Sequence, residues 1–96
     1  MHFEWDDTKG KENIKKHGIS FEDAEDVFND PFHISIIDRR FDYFEERWIT
    51  IGSTRNRTIV VIGHLYYLRE NGDEVIRIIT ARSATKKERE QYESIG

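Results

Sequence analysis

Residues 58–68, Thr-Ile-Val-Val-Ile-Gly-His-Leu-Tyr-Tyr-Leu, are apolar on both faces of an extended chain, which is the pattern of a central strand covered on both sides. Asn71-Gly72 follows as a strong hairpin signal, and Glu74 to Ala81 reads as the strand that pairs back. A chain containing this hairpin needs further strands beside it and helices over it. The apolar run is too short to cross a bilayer. Upstream, Glu46 to Gly52 alternates Arg47, Ile49 and Ile51 against Trp48 and Thr50, predicting another strand, and Phe32 to Asp38 predicts one before it. Arg39 to Glu45 between them reads as a charged, aromatic loop or hairpin.

The first third is helical. Phe3-Glu4-Trp5 suits a short first strand, after which Asp6 caps a helix running to about His17, with Gly18 in the stop position. Gly10, Ile14 and His17 share one face of it by spacing, which predicts that His17 points to the core or its rim. Ser20 can cap a second helix through the amide of Asp23, with Ile19 stapled against Ala24 and an apolar stripe of Phe21, Ala24, Val27 and Phe28. Asn29-Asp30-Pro31 ends it. At the other end, Thr85 and Glu88 form a capping box for a C-terminal helix whose chief apolar side chain is Tyr92, so weak docking is expected. The predicted fold class is α+β, a β-α-α-β-β-β-β-α chain with an antiparallel sheet, two N-terminal helices and a C-terminal helix. With 96 residues, 36% of them hydrophobic, a single domain over residues 1–96 is expected.

Several chemistries have no support in these residues. There is no cysteine, so disulfides, zinc thiolates and thiol catalysis are excluded. No glycine-rich phosphate loop or serine-hydrolase elbow occurs. Asp38, Asp42, Glu45 and Glu46 cluster in sequence without histidine or calcium-loop spacing, so no metal site and no cofactor are expected. His64, inside the central strand, is expected to be a satisfied core residue. No signal or anchor pattern opens the chain, making the cytoplasm the expected address.

Charge is more informative. The formal net charge is −4, yet residues 1–48 hold 7 Lys and Arg against 13 Asp and Glu, while Ile76 to Arg89 holds five basic residues against Glu88 alone. That patch can meet a phosphate backbone. Arg47, Arg77 and Arg82 come from strands, where a guanidinium can hold a phosphate bidentately and stabilise charge developing on it. Strict alternation puts Arg77 and Arg82 on opposite faces, so their convergence requires a bulge or the strand end.

Trp5-Asp6, Lys9, Asn13, the block from Lys16 through Ala24, Val27-Phe28, Asp30-Pro31, Glu46-Arg47-Trp48, Ile51-Gly52, the block Arg77-Ile78-Ile79-Thr80-Ala81-Arg82, Ala84-Thr85 and Glu88-Arg89 together resemble the BrnT family of bacterial toxins, over nearly the whole chain and in order. The resemblance implies a RelE-like fold, ribonuclease activity that arrests translation, and a BrnA-like antitoxin with a ribbon-helix-helix DNA-binding domain, two toxins with two antitoxins, repressing their own operator. With no metal cluster in the sequence and a basic patch at Ile76 to Arg89, cleavage is expected to be metal-independent. On it, Arg77, Arg82 and Arg47 are expected at the scissile phosphate, with His17, Lys16 or Tyr92 as proton-transfer candidates and Lys16, Lys86, Lys87 and Arg89 as RNA-binding groups. His17 remains equally compatible with a hydrogen-bonded core role. Gly10 departs from a good helix former at its position, and the acidic first half is unusual for an RNA cutter. The alternative reading is a non-catalytic binding module, a corepressor that tightens its antitoxin's hold on operator DNA.

Overall fold

The computed structural model describes residues 1–40 and 45–95. In chain order they form β1 (His2–Glu4), α1 (Asp7–His17), α2 (Phe21–Ala24) running into a 3-10 segment (Glu25–Asn29), β2 (Ile34–Ile37), β3 (Trp48–Ser53), β4 (Ile59–Leu68), β5 (Glu74–Ser83) and α3 (Lys86–Ile95). The strands make one sheet in the order β1-β5-β4-β3-β2, with β4 in the middle as its composition requires. The expected loop or hairpin at Arg39–Glu45, and Asp42 with it, fall largely in residues 41–44, outside the described residues.

Local signals act where they were expected. The Asp6 carboxylate accepts from the Lys9 amide and Gly18 closes α1 at φ 72°, a left-handed conformation that suits glycine. The Ser20 hydroxyl accepts from the Asp23 amide. The Asn71-Gly72 turn is closed by the Gly72 amide donating to the Arg69 carbonyl, with Gly72 at φ 89°. In the capping box of α3 the Thr85 amide donates to Glu88 Oε1 at 2.9 Å and the Glu88 amide to Thr85 Oγ1 at 3.2 Å.

Three expectations need correction. The sheet is not antiparallel throughout, because β1 lies parallel to β5, with His2 opposite Val75 and Glu4 opposite Arg77. A three-residue strand whose partner lies more than seventy positions away carries no local sign of direction. Second, the buried stripe of α1 is Gly10 and Asn13 with half-buried His17, while Ile14 is 48% exposed. The helix is rotated toward Asn13, whose amide is needed at the sheet. Third, cover on both faces of β4 ends at Leu65, since Tyr66, Tyr67 and Leu68 project beyond the helices and are exposed.

The core lies between the helices and one face of the sheet. Phe21, Ala24 and Val27 pack on Val60, Ile62, Ile76, Ile78 and Ala81. His64 is buried beside them and satisfied, as expected: Nδ1 donates to the Leu65 carbonyl, so Nε2 accepts from the Thr50 hydroxyl at 2.7 Å, and Thr50 in turn accepts from Ser35 at 2.7 Å. Burial pushes the imidazole pKa down and keeps it neutral. Among the described residues no helix is long and apolar enough to cross a membrane.

Where β1 stops, α1 takes over the edge of β5. Asn13 Nδ2 donates to the Ala81 carbonyl at 2.8 Å and to the Ile19 carbonyl at 2.9 Å, and its Oδ1 accepts from the Ala81 amide at 3.1 Å. Truncation of a buried amide strands those backbone groups, each at a cost of about 1–3 kcal/mol. Asn13→Ala should therefore lose about 3 kcal/mol or more of stability in urea denaturation, far more than an exposed α1 change such as Lys11→Ala. Gly10 behaves oppositely. A Cβ there would meet Trp5 Cδ1 at 3.5 Å and Phe21 Cδ2 at 3.6 Å, ordinary contact distances. Gly10→Ala should raise stability by up to about 1 kcal/mol in the same measurement.

Candidate functional site

The register of β4 and β5 slips at Gly63/His64: Gly63 faces Thr80, but His64 faces Ile78, leaving Ile79 as the extra residue. Ile76 and Ile78 on one side of this bulge and Ala81 on the other all belong to the helix-side core. Arg77 and Arg82 consequently both project from the opposite face. A Cβ on Gly63 would lie 2.6 Å from Thr80 Oγ1, so a larger residue at the slip would force the Thr80 side chain to turn away.

On that face Arg82, Arg47, Arg40, Asp38 and Thr80 line a cleft of about 160 Å³. The β2–β3 pairing builds its far wall. The Asp38 amide donates to the Arg47 carbonyl at 2.7 Å, which places residues 38–40 beside Arg47. Each arginine meets a carboxylate. Arg40 donates through Nε and Nη2 to the two Asp38 oxygens at 3.0 and 3.1 Å. Arg47 lies 3.8 Å from Glu45. Arg82 forms the tightest pair, Nη1 to Glu88 Oε1 at 2.7 Å and Nη2 to Oε2 at 2.9 Å. These hydrogen bonds hold the Glu88 pKa down at about 2 and raise that of Arg82, against burial and, more weakly, the charge of nearby Arg40.

A second cleft, about 300 Å³, lies across the free edge of β5 and is lined by Lys9, Glu12, Lys16 and His17 of α1. Ile79 and Thr80 line both clefts. The bulge thus stands between an arginine cluster and a lysine-histidine cluster.

Of the residues expected to act together, Arg47 and Arg82 share the first cleft, and Lys16 and His17 adjoin it through Thr80. Arg77 lines neither, and its guanidinium lies 3.6 Å from Glu4. Lys86, Lys87 and Arg89 are exposed on the first half of α3. Tyr92 is buried, and its hydroxyl donates to Asp30, which also accepts the Ser53 amide. Burial and that bond push the Tyr92 pKa up to about 12, and the hydrogen bonds that Asp30 accepts lower its own pKa despite burial. Tyr92 therefore fastens α3 and lies outside both clefts. Arg40 escaped the sequence reading; the signal available was the strand pairing, which pulls Asp38-Arg39-Arg40 onto Arg47. Asp38, weighed as an acid in a cluster, is Arg40's partner. Among the described residues no three His, Asp or Glu side chains gather as a metal site would need.

A sequence profile for the family described as ribonuclease toxin, BrnT, of type II toxin-antitoxin system matches residues 5–88, from Trp5 to the carboxylate that holds Arg82. The chain belongs to the BrnT family. The crystal structure of the Brucella abortus ribonuclease toxin BrnT is similar in fold, with a TM-score of 0.61 and 26% identity over 90% of this chain and 99% of that one. No curated protein matched the chain in sequence. BrnT-family membership makes this a ribonuclease toxin whose type II system supplies an antitoxin partner.

In this BrnT-family chain α3 is pinned at two points with opposite pH dependence. Folding favours ionised Glu88, so its contribution is full above about pH 4.5 and is lost as pH falls toward 2. Folding favours neutral Tyr92, so that contribution is full below about pH 10 and is lost as pH rises toward 12. The melting-temperature gap between wild type and Glu88→Gln should narrow below pH 4.5, and that between wild type and Tyr92→Phe should narrow above pH 10.

Proposed function

We propose that this toxin cleaves RNA without a metal ion, as a RelE-like endoribonuclease, at the junction of the two clefts. The observation that carries the reading is the placement of Arg82, Arg47 and Arg40 on one side of the β5 bulge with Lys16 and His17 on the other. A strand of RNA crossing Thr80 would set its scissile phosphate among the arginines and its ribose toward α1. The 2′-oxygen attacks phosphorus in line, its proton passes to a base, the bond from phosphorus to the 5′-oxygen breaks, and that oxygen takes up a proton. A 2′,3′-cyclic phosphate and a 5′-hydroxyl result.

The Arg82–Glu88 pair is compatible with this role. A guanidinium has five N–H groups. Glu88 takes one from each Nη, and the remaining Nη1 hydrogen leans on the Ser83 carbonyl at 3.4 Å. Among the described residues the Nε hydrogen and one Nη2 hydrogen have no other acceptor, and they form the side-on fork that fits two phosphate oxygens. Glu88 orients the group and Arg82 supplies charge to the dianionic phosphorane. His17, half-buried at the rim, is the favoured proton-transfer group, with Lys16 beside it stabilising charge. Lys86, Lys87 and Arg89 extend the contact with the RNA backbone. Translation arrest follows from cleavage of messenger RNA, and a BrnA-like ribbon-helix-helix antitoxin, in a complex of two copies of each protein, neutralises the toxin and carries it to operator DNA.

Purified toxin should cleave RNA in the presence of EDTA and leave the cyclic phosphate; a strict need for a divalent ion would refute the mechanism. Arg82→Ala should lower the cleavage rate by about 10²–10³-fold, while a part-exposed ion pair of this kind contributes only about 1 kcal/mol to stability. Equal loss of melting temperature and activity would make Arg82 structural. Induction without the antitoxin should stop growth, and continued growth would favour the corepressor reading.

A further inference from the structure

The face of the sheet opposite the core carries aliphatic side chains that the described residues cover fully only at Val61, leaving Ile34, Ile49 and Ile51 half-buried and Ile36 exposed. Register puts Ile34 against Ile51 and Ile36 against Ile49, and Ile51 against Val61, so five branched residues from three strands share this face. They line a groove of about 330 Å³. Its other wall is α3, which turns Glu88, Gln91 and Ser94 toward it. Docked helices normally lay an apolar stripe on a sheet. Here the helix offers the aliphatic face a polar stripe and takes its own anchorage elsewhere, from Tyr92 on Asp30 and from Glu88 on Arg82. Ile36, on the terminal strand β2, is 57% exposed.

The groove runs directly into the arginine cleft, with Ile49 and Val61 lining both. Its chemistry therefore changes along its length, aliphatic at β2 and strongly cationic at Arg82, Arg47 and Arg40. An RNA strand would gain nothing from branched aliphatic walls, which offer neither stacking planes nor positive charge. A polypeptide with aliphatic side chains followed by a carboxylate matches both halves. We propose that this groove is where the antitoxin docks, burying aliphatic anchors over Ile34, Ile36 and Ile51 and presenting an acidic side chain to the arginines, so that one segment fills the groove and closes the cleft to RNA. This rests on the ribonuclease reading only for the claim that closing the cleft stops cleavage.

The apolar contacts set how long the complex lasts and the charges set how fast it forms. The test uses the full-length toxin and the purified antitoxin of its type II system, titrated by surface-immobilised binding with RNA cleavage measured in parallel. Ile36→Glu, at an exposed edge position, should keep the wild-type melting temperature and the wild-type cleavage rate, yet weaken antitoxin binding at least 100-fold through faster dissociation. Should that variant unfold, Ile36→Ala replaces it with an expected loss of about tenfold. Arg40→Ala should slow association several-fold and flatten its salt dependence. Antitoxin affinity within threefold of wild type for the Ile36 variant overturns the proposal. So does a free toxin that sediments as a dimer and becomes monomeric on Ile36→Glu, because a second copy would then be the occupant. If antitoxin binding depends on Ile36 while wild-type toxin fails to cleave RNA, the docking surface stands and the ribonuclease reading falls.

Discussion

The side chain of Asn13 stands in for a strand. β5 is ten residues long, but its parallel neighbour β1 pairs only as far as Arg77, which leaves the outer edge from Ile78 onward without a ladder partner. An unpaired amide and carbonyl buried under a helix would each cost about as much as a lost hydrogen bond. Asn13 supplies an acceptor to the Ala81 amide and a donor to the Ala81 carbonyl across 68 positions of sequence, and its second amide hydrogen ties down the Ile19 carbonyl in the turn to α2. One side chain thereby fixes α1, the α1–α2 turn and the end of β5 relative to one another. Its neighbours on the helix follow: Gly10, one turn before, lies under Trp5 and Phe21 with room for a Cβ, and His17, one turn after, comes to rest beside Thr80.

The bulge depends on that anchorage. Slipping one residue out of register turns every later side chain to the other face. Ala81 must remain on the helix side for Asn13 to reach its backbone, and Ile78 must remain there as core. The three-residue spacing between them accommodates both only if one residue is extra, and Ile79 is that residue. The functional consequence is that Arg82 is expelled to the face shared with Arg47. Gly63 and Thr80 fit the same constraint, the hydroxyl of one occupying the space where the other lacks a Cβ.

Most elements were legible because their determinants are local. Asp6, Gly18, Ser20, Asn71-Gly72 and the Thr85–Glu88 box act within a few residues of themselves, and each does in the structure what its type and spacing demand. The parallel course of β1 and the selection of Asn13 over Ile14 for the buried stripe were not legible, since both are decided by β5, distant in sequence. The candidate site divides in the same way. Arg47 and Arg82 could be singled out as strand arginines, and the bulge could be stated as the condition for Arg82 to change face. Arg40 could not, because only the pairing of β2 with β3 brings it to Arg47. Tyr92 could be picked as the chief side chain of α3, but its partner Asp30 lies at the end of the second helix, and that contact turns it from a reacting group into a fastening.

The acidic balance of a chain that handles RNA has a structural reason. Guanidinium groups gathered in one cleft repel one another, as the opposing influence of Arg40 on Arg82 shows, and a free protein must hold them there before any phosphate arrives. Among the described residues Asp38, Glu45 and Glu88 do this, pairing with Arg40, Arg47 and Arg82. The carboxylates offset part of the arginine charge, so a solitary phosphate finds less attraction there than three bare guanidinium groups would give. On the proposed reading a polyanion would be treated differently, because several phosphates along one strand would engage the side-on fork of Arg82 and the lysines of α1 and α3 at once. Pairing the arginines internally would, on that reading, trade affinity for small anions against selectivity for a chain of them, which reconciles an acidic protein with a phosphate-directed site.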